Sequence, residues 1–300
     1  MFSQLLVDLQ NGNKRALARA ISLVENNSEG YESLLEGINF NKKVPIIGVT
    51  GPPGAGKSTL INAFAKHLLS QNKKVAIIAV DPSSPFNKGS LMGDRLRMGE
   101  HFLNPNIFIR SMATRGSLGG LAPKIFEVAD LIRAAQFDYV IIETVGVGQS
   151  EVEIASLADT TVLVLVPEAG DDIQTIKSGV MEIADVFVLN KSDRSGAETF
   201  YKNLCALTHS NATSDWETPV VKTIAHKYLG IIELEEAIFK HQHADNLFDK
   251  KNLLLAEKAV MLIKNQRVKD LNFEQILSEL QQISNQQNFN IYRYVKKYTN

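Results

Sequence analysis

The stretch Gly51-Pro52-Pro53-Gly54-Ala55-Gly56-Lys57-Ser58-Thr59 decides how this chain is read. It fits G-x-x-x-x-G-K-[ST] without a mismatch. It follows the apolar run Val44-Pro45-Ile46-Ile47-Gly48-Val49 and leads into Leu60-Ile61-Asn62-Ala63-Phe64-Ala65. Strand, loop and helix in that order are the context that a phosphate-binding loop requires. Gly51, Gly54 and Gly56 let the backbone bend until several N–H groups point at one anion, and the helix N-terminus behind them adds partial positive charge. Residues 51 to 59 then form the cradle of a nucleotide's phosphates. Lys57 reaches the β- and γ-phosphates, and the Ser58 hydroxyl ligates Mg²⁺.

Composition narrows the setting. With 300 residues and 44% hydrophobic content the chain can bury a large α/β core. A formal net charge of −1 gives no global field, so neither nucleic acid nor a membrane is an expected partner. Cys205 is the single cysteine, which excludes an intrachain disulfide and makes a reducing cytosol the expected compartment. The N-terminal Met1-Phe2-Ser3-Gln4-Leu5-Leu6-Val7-Asp8 reaches an acid too early for a signal peptide. No apolar run approaches membrane-spanning length, so a cytoplasmic location is expected.

Three regions follow from the pattern of hydrophobicity. Residues 1–40 read as a helical extension, with two amphipathic helices broken near Asn11-Gly12-Asn13 and Leu5, Leu6, Leu9, Leu17, Ile21 and Leu23 as apolar positions. Residues 41–244 alternate apolar, β-branched runs with helix-like segments. The runs are 44–50, 74–80, 106–110, 137–142, 160–166, 185–189 and 219–223. Continuous rather than alternating apolar runs indicate parallel strands covered on both faces, and so a three-layer α/β sandwich. In residues 245–300 leucines and isoleucines recur at helical spacing among Lys, Glu and Gln, which predicts a C-terminal helical arm.

A second motif reads the base. Asn190-Lys191-Ser192-Asp193 ends the apolar run Val186-Phe187-Val188-Leu189. A carboxylate there accepts both N1–H and the exocyclic amino N–H of guanine, and adenine offers no such donor pair. Lys191 lays its alkyl stem along the purine and Asn190 braces the loop. Thr223-Ile224-Ala225 follows the last strand, and a backbone N–H near Ala225 is expected at the guanine oxygen, with His226 adjoining. On the metal side, Asp81 ends the second strand, Glu143 ends the fourth, and Asp94 lies between them in sequence. Mg²⁺ keeps several waters and takes one or two carboxylates, so some of these acids act through water. Gln149 is the candidate to orient the attacking water. His241-Gln242-His243 carries no metal motif, because positions i and i+2 of a helix face apart.

These residues together resemble the MeaB/MMAA/ArgK family of G-protein chaperones, within the SIMIBI branch of P-loop GTPases. The resemblance rests on Asn13–Ile21, Gly48–Leu60, Asp81-Pro82-Ser83-Ser84-Pro85-Phe86, Arg110–Gly116, Asn190–Asp193 and above all Glu143-Thr144-Val145-Gly146-Val147-Gly148-Gln149-Ser150-Glu151. It implies slow GTP hydrolysis to GDP and phosphate with Mg²⁺, and a homodimer formed partly through the C-terminal helices. It also implies service to adenosylcobalamin-dependent methylmalonyl-CoA mutase, by gating cofactor loading and protecting or reactivating the enzyme. By the same resemblance Gly170–Lys177 is an additional switch. Glu168 and Ser178 depart from the family's pattern there. Alternatives are a chaperone of isobutyryl-CoA mutase and a kinase or ATPase of an arginine/ornithine transport system. A nickel-insertion GTPase would want a His-rich tract, and a signal-recognition GTPase a Met-rich helical domain; neither is present.

Replacing Asp193 by Asn removes one acceptor from the proposed guanine contact. The Asp193→Asn variant is expected to bind GTP more weakly and to gain affinity for xanthosine triphosphate, as measured by equilibrium titration. Unchanged GTP affinity would remove Asp193 from base recognition.

Overall fold

A computed structural model describes residues 2–40, 42–81, 104–114, 121–146, 153–170, 181–210, 216–244, 247–268, 271, 273–283 and 290–298. In it the apolar runs become seven strands: β1 Ile46–Thr50, β2 Val75–Asp81, β3 Ile107–Ala113, β4 Tyr139–Glu143, β5 Thr160–Leu165, β6 Val186–Leu189 and β7 Val220–Lys222. They make one sheet in the order β3-β2-β4-β1-β5-β6-β7, with every pairing parallel. All residues of β1, β2, β5 and β6 are buried, as strands covered by helices on both faces must be. β3 runs three residues past the expected Arg110, because Val75 to Asp81 of β2 give it pairing partners as far as Ala113.

The helices described are α1 Phe2–Gln10, α2 Lys14–Glu25, α3 Tyr31–Glu36, α4 Lys57–Ser70, α5 Ile125–Arg133, α6 Ala197–Ser210, α7 Ile231–Gln242, α8 Leu247–Arg267, α9 Phe273–Ile283 and α10 Ile291–Lys296. The break between α1 and α2 falls at Asn13, whose side chain caps α2 by accepting from the N–H groups of Arg15 and Ala16. α2 buries Ala16, Leu17, Ala20, Ile21 and Val24 and packs against α5. Val24, not the expected Leu23, joins this stripe because a period of 3.6 residues puts it in line with Leu17 and Ile21. α3 has six residues, too few for periodicity to announce it.

The strand order puts the site in place. From β1 the chain crosses to β2 on one side and later returns to β5 on the other, so the crevice outside the carboxyl end of β1 lies at a topological switch point. Register aligns the strand ends there, with Val49 beside Glu143 and Thr50 beside Leu163. Gly48 lets β1 sit close to the turn Ile154–Ser156; a Cβ at this position would lie 2.5 Å from Ile154 Cγ1.

The chain divides into two units, Met1–Leu254 and Leu255–Asn300. The first contains the sheet and the N-terminal helices. Within the second, Glu279 on α9 accepts from the Tyr294 and Tyr298 hydroxyls, at 3.0 and 3.1 Å, and from Lys297, tying α10 to α9. The Lys297 hydrogen bond is the largest influence holding the Glu279 carboxyl down at about 2. Among the described residues no helix is long and apolar enough to cross a membrane.

Candidate functional site

The phosphate loop leaves β1 at Gly51 and enters α4 at Lys57. Its glycines carry the turn: φ is +137° at Gly51, +78° at Gly54 and +87° at Gly56. A Cβ on Gly51 would stand 2.1 Å from the Val164 carbonyl oxygen of β5, which closes that position to any side chain. Lys57 is buried and folds back over the loop, its Nζ donating to the carbonyls of Gly51 at 2.8 Å and Pro52 at 3.2 Å. The next residue, Ser58, is also buried and donates from Oγ to Glu143 Oε1 at 2.7 Å. A cavity of about 450 Å³ lies over the loop, with Gly54, Gly56, Lys57, Ser58, Glu143 and Lys191 in its walls. Pro53 and Thr59 also line it, whereas Ala55 is fully buried.

A second set of loops meets the first through one buried amide. Asn190 Nδ2 donates to the Ala55 carbonyl at 2.9 Å, while its Oδ1 accepts from the Thr223 hydroxyl at 3.1 Å and from Ala225 N at 3.2 Å. Three segments distant in sequence are thus held by a single side chain that is 2% exposed. The Ala225 N–H, expected at the guanine oxygen, is engaged by Asn190 in this structure. Lys191, at φ +55°, reaches across to the Gly54 carbonyl at 2.7 Å. Asp193 is solvent-facing, and its Oδ2 accepts from Lys227 Nζ at 3.1 Å; that hydrogen bond is the main reason its carboxyl lies below the usual range. His226 is exposed.

The acids at the strand ends separate into two groups. Asp81 and Glu143 are buried at the carboxyl ends of β2 and β4. Asp94, Gln149, Ser178 and the switch residues Asp171–Lys177 lie outside the described residues. Between β1 and β4 the hydroxyls of Thr50 and Thr144 are 2.9 Å apart and buried, locking the two strand ends beneath the loop. Glu168, two residues before the segment Gly170–Lys177 that was expected to be a switch, is exposed and ion-paired with Arg194, the residue after Asp193.

The family described as methylmalonyl Co-A mutase-associated GTPase MeaB matches residues 17–281. The chain belongs to the MeaB family. A protein of Pyrococcus abyssi is 42% identical over 298 residues, spanning 94% of this chain and 92% of its own. GTPase ArgK of Escherichia coli is 38% identical over 250 residues, 79% of this chain and 74% of its own. The mouse protein called methylmalonic aciduria type A homolog, mitochondrial, is 37% identical over 263 residues, 80% of this chain and 63% of its own. Among solved structures, one described as a LAO/AO transport system kinase has a TM-score of 0.70 at 26% identity, covering 99% of this chain and 96% of that one. HypB of Helicobacter pylori, solved in complex with nickel, shares the fold, with a TM-score of 0.50 at 16% identity over 75% of this chain and 95% of its own. As a member of the MeaB family this chain is a GTPase, and its fold is that of the P-loop GTPases.

Two residues at these loops make contacts that were not legible in sequence. Gly146 is one. At φ +81° it packs on the phosphate loop so tightly that a Cβ would lie 2.4 Å from both the Gly51 carbonyl oxygen and Lys57 Nζ. The signal was present in Glu143-Thr144-Val145-Gly146, but nothing local told that the glycine faces Lys57. Lys227 is the other, since its pairing with Asp193 joins two loops that sequence leaves unconnected. A methyl group at Gly146 must displace the lysine or the loop. Gly146→Ala is therefore expected to lower kcat/KM for GTP by about tenfold or more, as misplaced catalytic groups do, while the fold melts cooperatively. Wild-type turnover in this variant would show that Lys57 does not need its present seat.

Proposed function

We propose that the chain is a GTP-hydrolysing chaperone of an adenosylcobalamin-dependent methylmalonyl-CoA mutase, gating cofactor loading and protecting the enzyme. The observation that carries this reading is the joining of the two loop systems by Asn190, in a chain whose family is named for association with that mutase. The name of the mouse relative, a methylmalonic aciduria homolog, supports the same client.

In this reading the groups divide the work by chemistry. The backbone of residues 51–59 and Lys57 take the β- and γ-phosphates. Lys57 leaves the carbonyls of Gly51 and Pro52 for the more negative phosphate oxygens, a charge-assisted exchange. Asp193 takes the guanine edge, Lys191 flanks the purine, and Thr223 and Ala225 hold the base loop in place through Asn190, with His226 adjoining. Ser58, Asp81 and Glu143 supply hard oxygen donors at one edge of the sheet, a donor set that fits Mg²⁺. When bound, Mg²⁺ neutralises charge on the transferring phosphoryl group. Asp94 and Gln149 complete the proposed metal side and water-orienting positions. Slow turnover follows if the mutase completes this site.

Homodimerisation is part of the proposal. Leu253, Leu255, Val260 and Ile263 of α8 are each at least half exposed, apolar surface available to a second copy of the chain. Light scattering is expected to give twice the chain mass, and Val260→Glu with Ile263→Glu to return it to one chain; a monomer before substitution would contradict the dimer.

A second reading, phosphotransfer within an amino-acid transport system, is favoured by the name given to the solved relative at 26% identity. It tolerates ATP, which the carboxylate at Asp193 does not. Turnover of GTP and ATP by the purified protein, with and without methylmalonyl-CoA mutase from the same source, separates the two. GTP-selective turnover that changes on adding the mutase is expected. Turnover indifferent to the mutase would remove the client, and preference for ATP would favour the kinase.

A further inference from the structure

A second polar cavity lies at the opposite edge of the sheet from the phosphate loop. Its position follows from the parallel strands: Lys74 immediately precedes β2 and Asp138 immediately precedes β4, whereas the loop follows the end of β1. The cavity has a volume of about 410 Å³ and is lined by Lys42, Asn72, Lys74, Arg133, Gln136 and Asp138. Three cations thus face one carboxylate.

That carboxylate is already engaged. Asp138 Oδ1 accepts from Lys42 Nζ at 2.9 Å and Oδ2 from the Lys74 backbone N–H at 2.7 Å. Burial raises the Asp138 carboxyl, but the Lys74 N–H, the Lys42 ammonium and the charge of Lys73 outweigh it and hold it below the usual range. Among the described residues, no carboxylate pairs with the Lys74 ammonium or the Arg133 guanidinium. Arg133 Nε is buried without a hydrogen-bond acceptor, and the guanidinium lies 5.7 Å from the Phe40 ring, a contact that restrains it. Positive charge is crowded enough to reach Lys14, whose ammonium is pushed down by burial first and by the Lys74 charge second.

Basic residues often gather where helices end, and α4 and α5 both end here. That accounts for exposed lysines. It does not account for a buried guanidinium nitrogen left without an acceptor, which is uncommon in folded proteins.

We propose that this cavity binds a small phosphomonoester. Three cations less one carboxylate leave two positive charges, matched to a phosphate group of about −1.5 to −2 at neutral pH. Arg133 offers the planar fork that suits phosphate oxygens, and Lys74 adds a point charge beside it. The volume lies within the range of ordinary ligand sites and leaves room for an organic body beyond the phosphate.

The test uses full-length protein saturated with GDP, so that the phosphate and base loops are filled, titrated calorimetrically at low salt with AMP and with inorganic phosphate. AMP is expected to bind one per chain and to be displaced by inorganic phosphate. Arg133→Gln is expected to weaken it by about tenfold, as is Lys42→Glu, a charge reversal at a half-exposed side chain that leaves the core intact. Asp138→Asn is expected to tighten it. GTP turnover stays at the wild-type rate in all three variants, which keeps this outcome distinct from that of the GTPase reading. The proposal is overturned if neither probe gives a saturable signal below about 10 mM, if phosphate fails to displace AMP, or if binding is the same in wild type and both weakened variants.

Discussion

The buried amide of Asn190 is the interaction on which the site depends. Its two ends are satisfied by groups from the phosphate loop and from the loop after β7, so the spacing of these two loops is set by one side chain. A buried amide held on both ends is costly to break, since each lost partner leaves an unsatisfied polar group. The constraint runs further. A Cβ at Gly56 would lie 2.5 Å from Asn190 Nδ2, so the glycine required by the loop's conformation is also required by the amide's approach.

Around this joint the polar groups of the site bind one another. Lys57 is satisfied by loop carbonyls, Ser58 by Glu143, Lys191 by Gly54 and Asp193 by Lys227. Each of these bonds uses a group that the nucleotide reading assigns to phosphate, metal or base. Under that reading, nucleotide binding exchanges these partners for groups of the ligand. The Thr50 and Thr144 hydroxyls join the ends of β1 and β4 beneath the loop.

Much of this was legible in sequence, for reasons that differ by element. β1, the phosphate loop and α4 are encoded within the contiguous residues 46–70, whose glycines, lysine and apolar run all point to one geometry. β1, β2, β5 and β6 announced themselves because burial on both faces demands continuous apolar runs. Their order did not, because a strand buried on both faces carries no mark of its neighbours: the insertion of β4 between β2 and β1 is a tertiary fact. α3 was too short to show a period, and Gly146 and Lys227 have roles only through residues far away in the chain. The cavity at the other edge was invisible for the same reason, since Lys42, Lys74 and Arg133 come from three separate segments.

The most direct test of this site is a crystal structure of the chain with GDP and Mg²⁺. Lys57 is expected to leave the carbonyls of Gly51 and Pro52 for the β-phosphate, both oxygens of Asp193 to accept from guanine, and Asn190 to keep its bonds to Ala55 and Thr223. GDP bound with its base away from Asp193, or with Asn190 detached from the phosphate loop, would contradict the assignment.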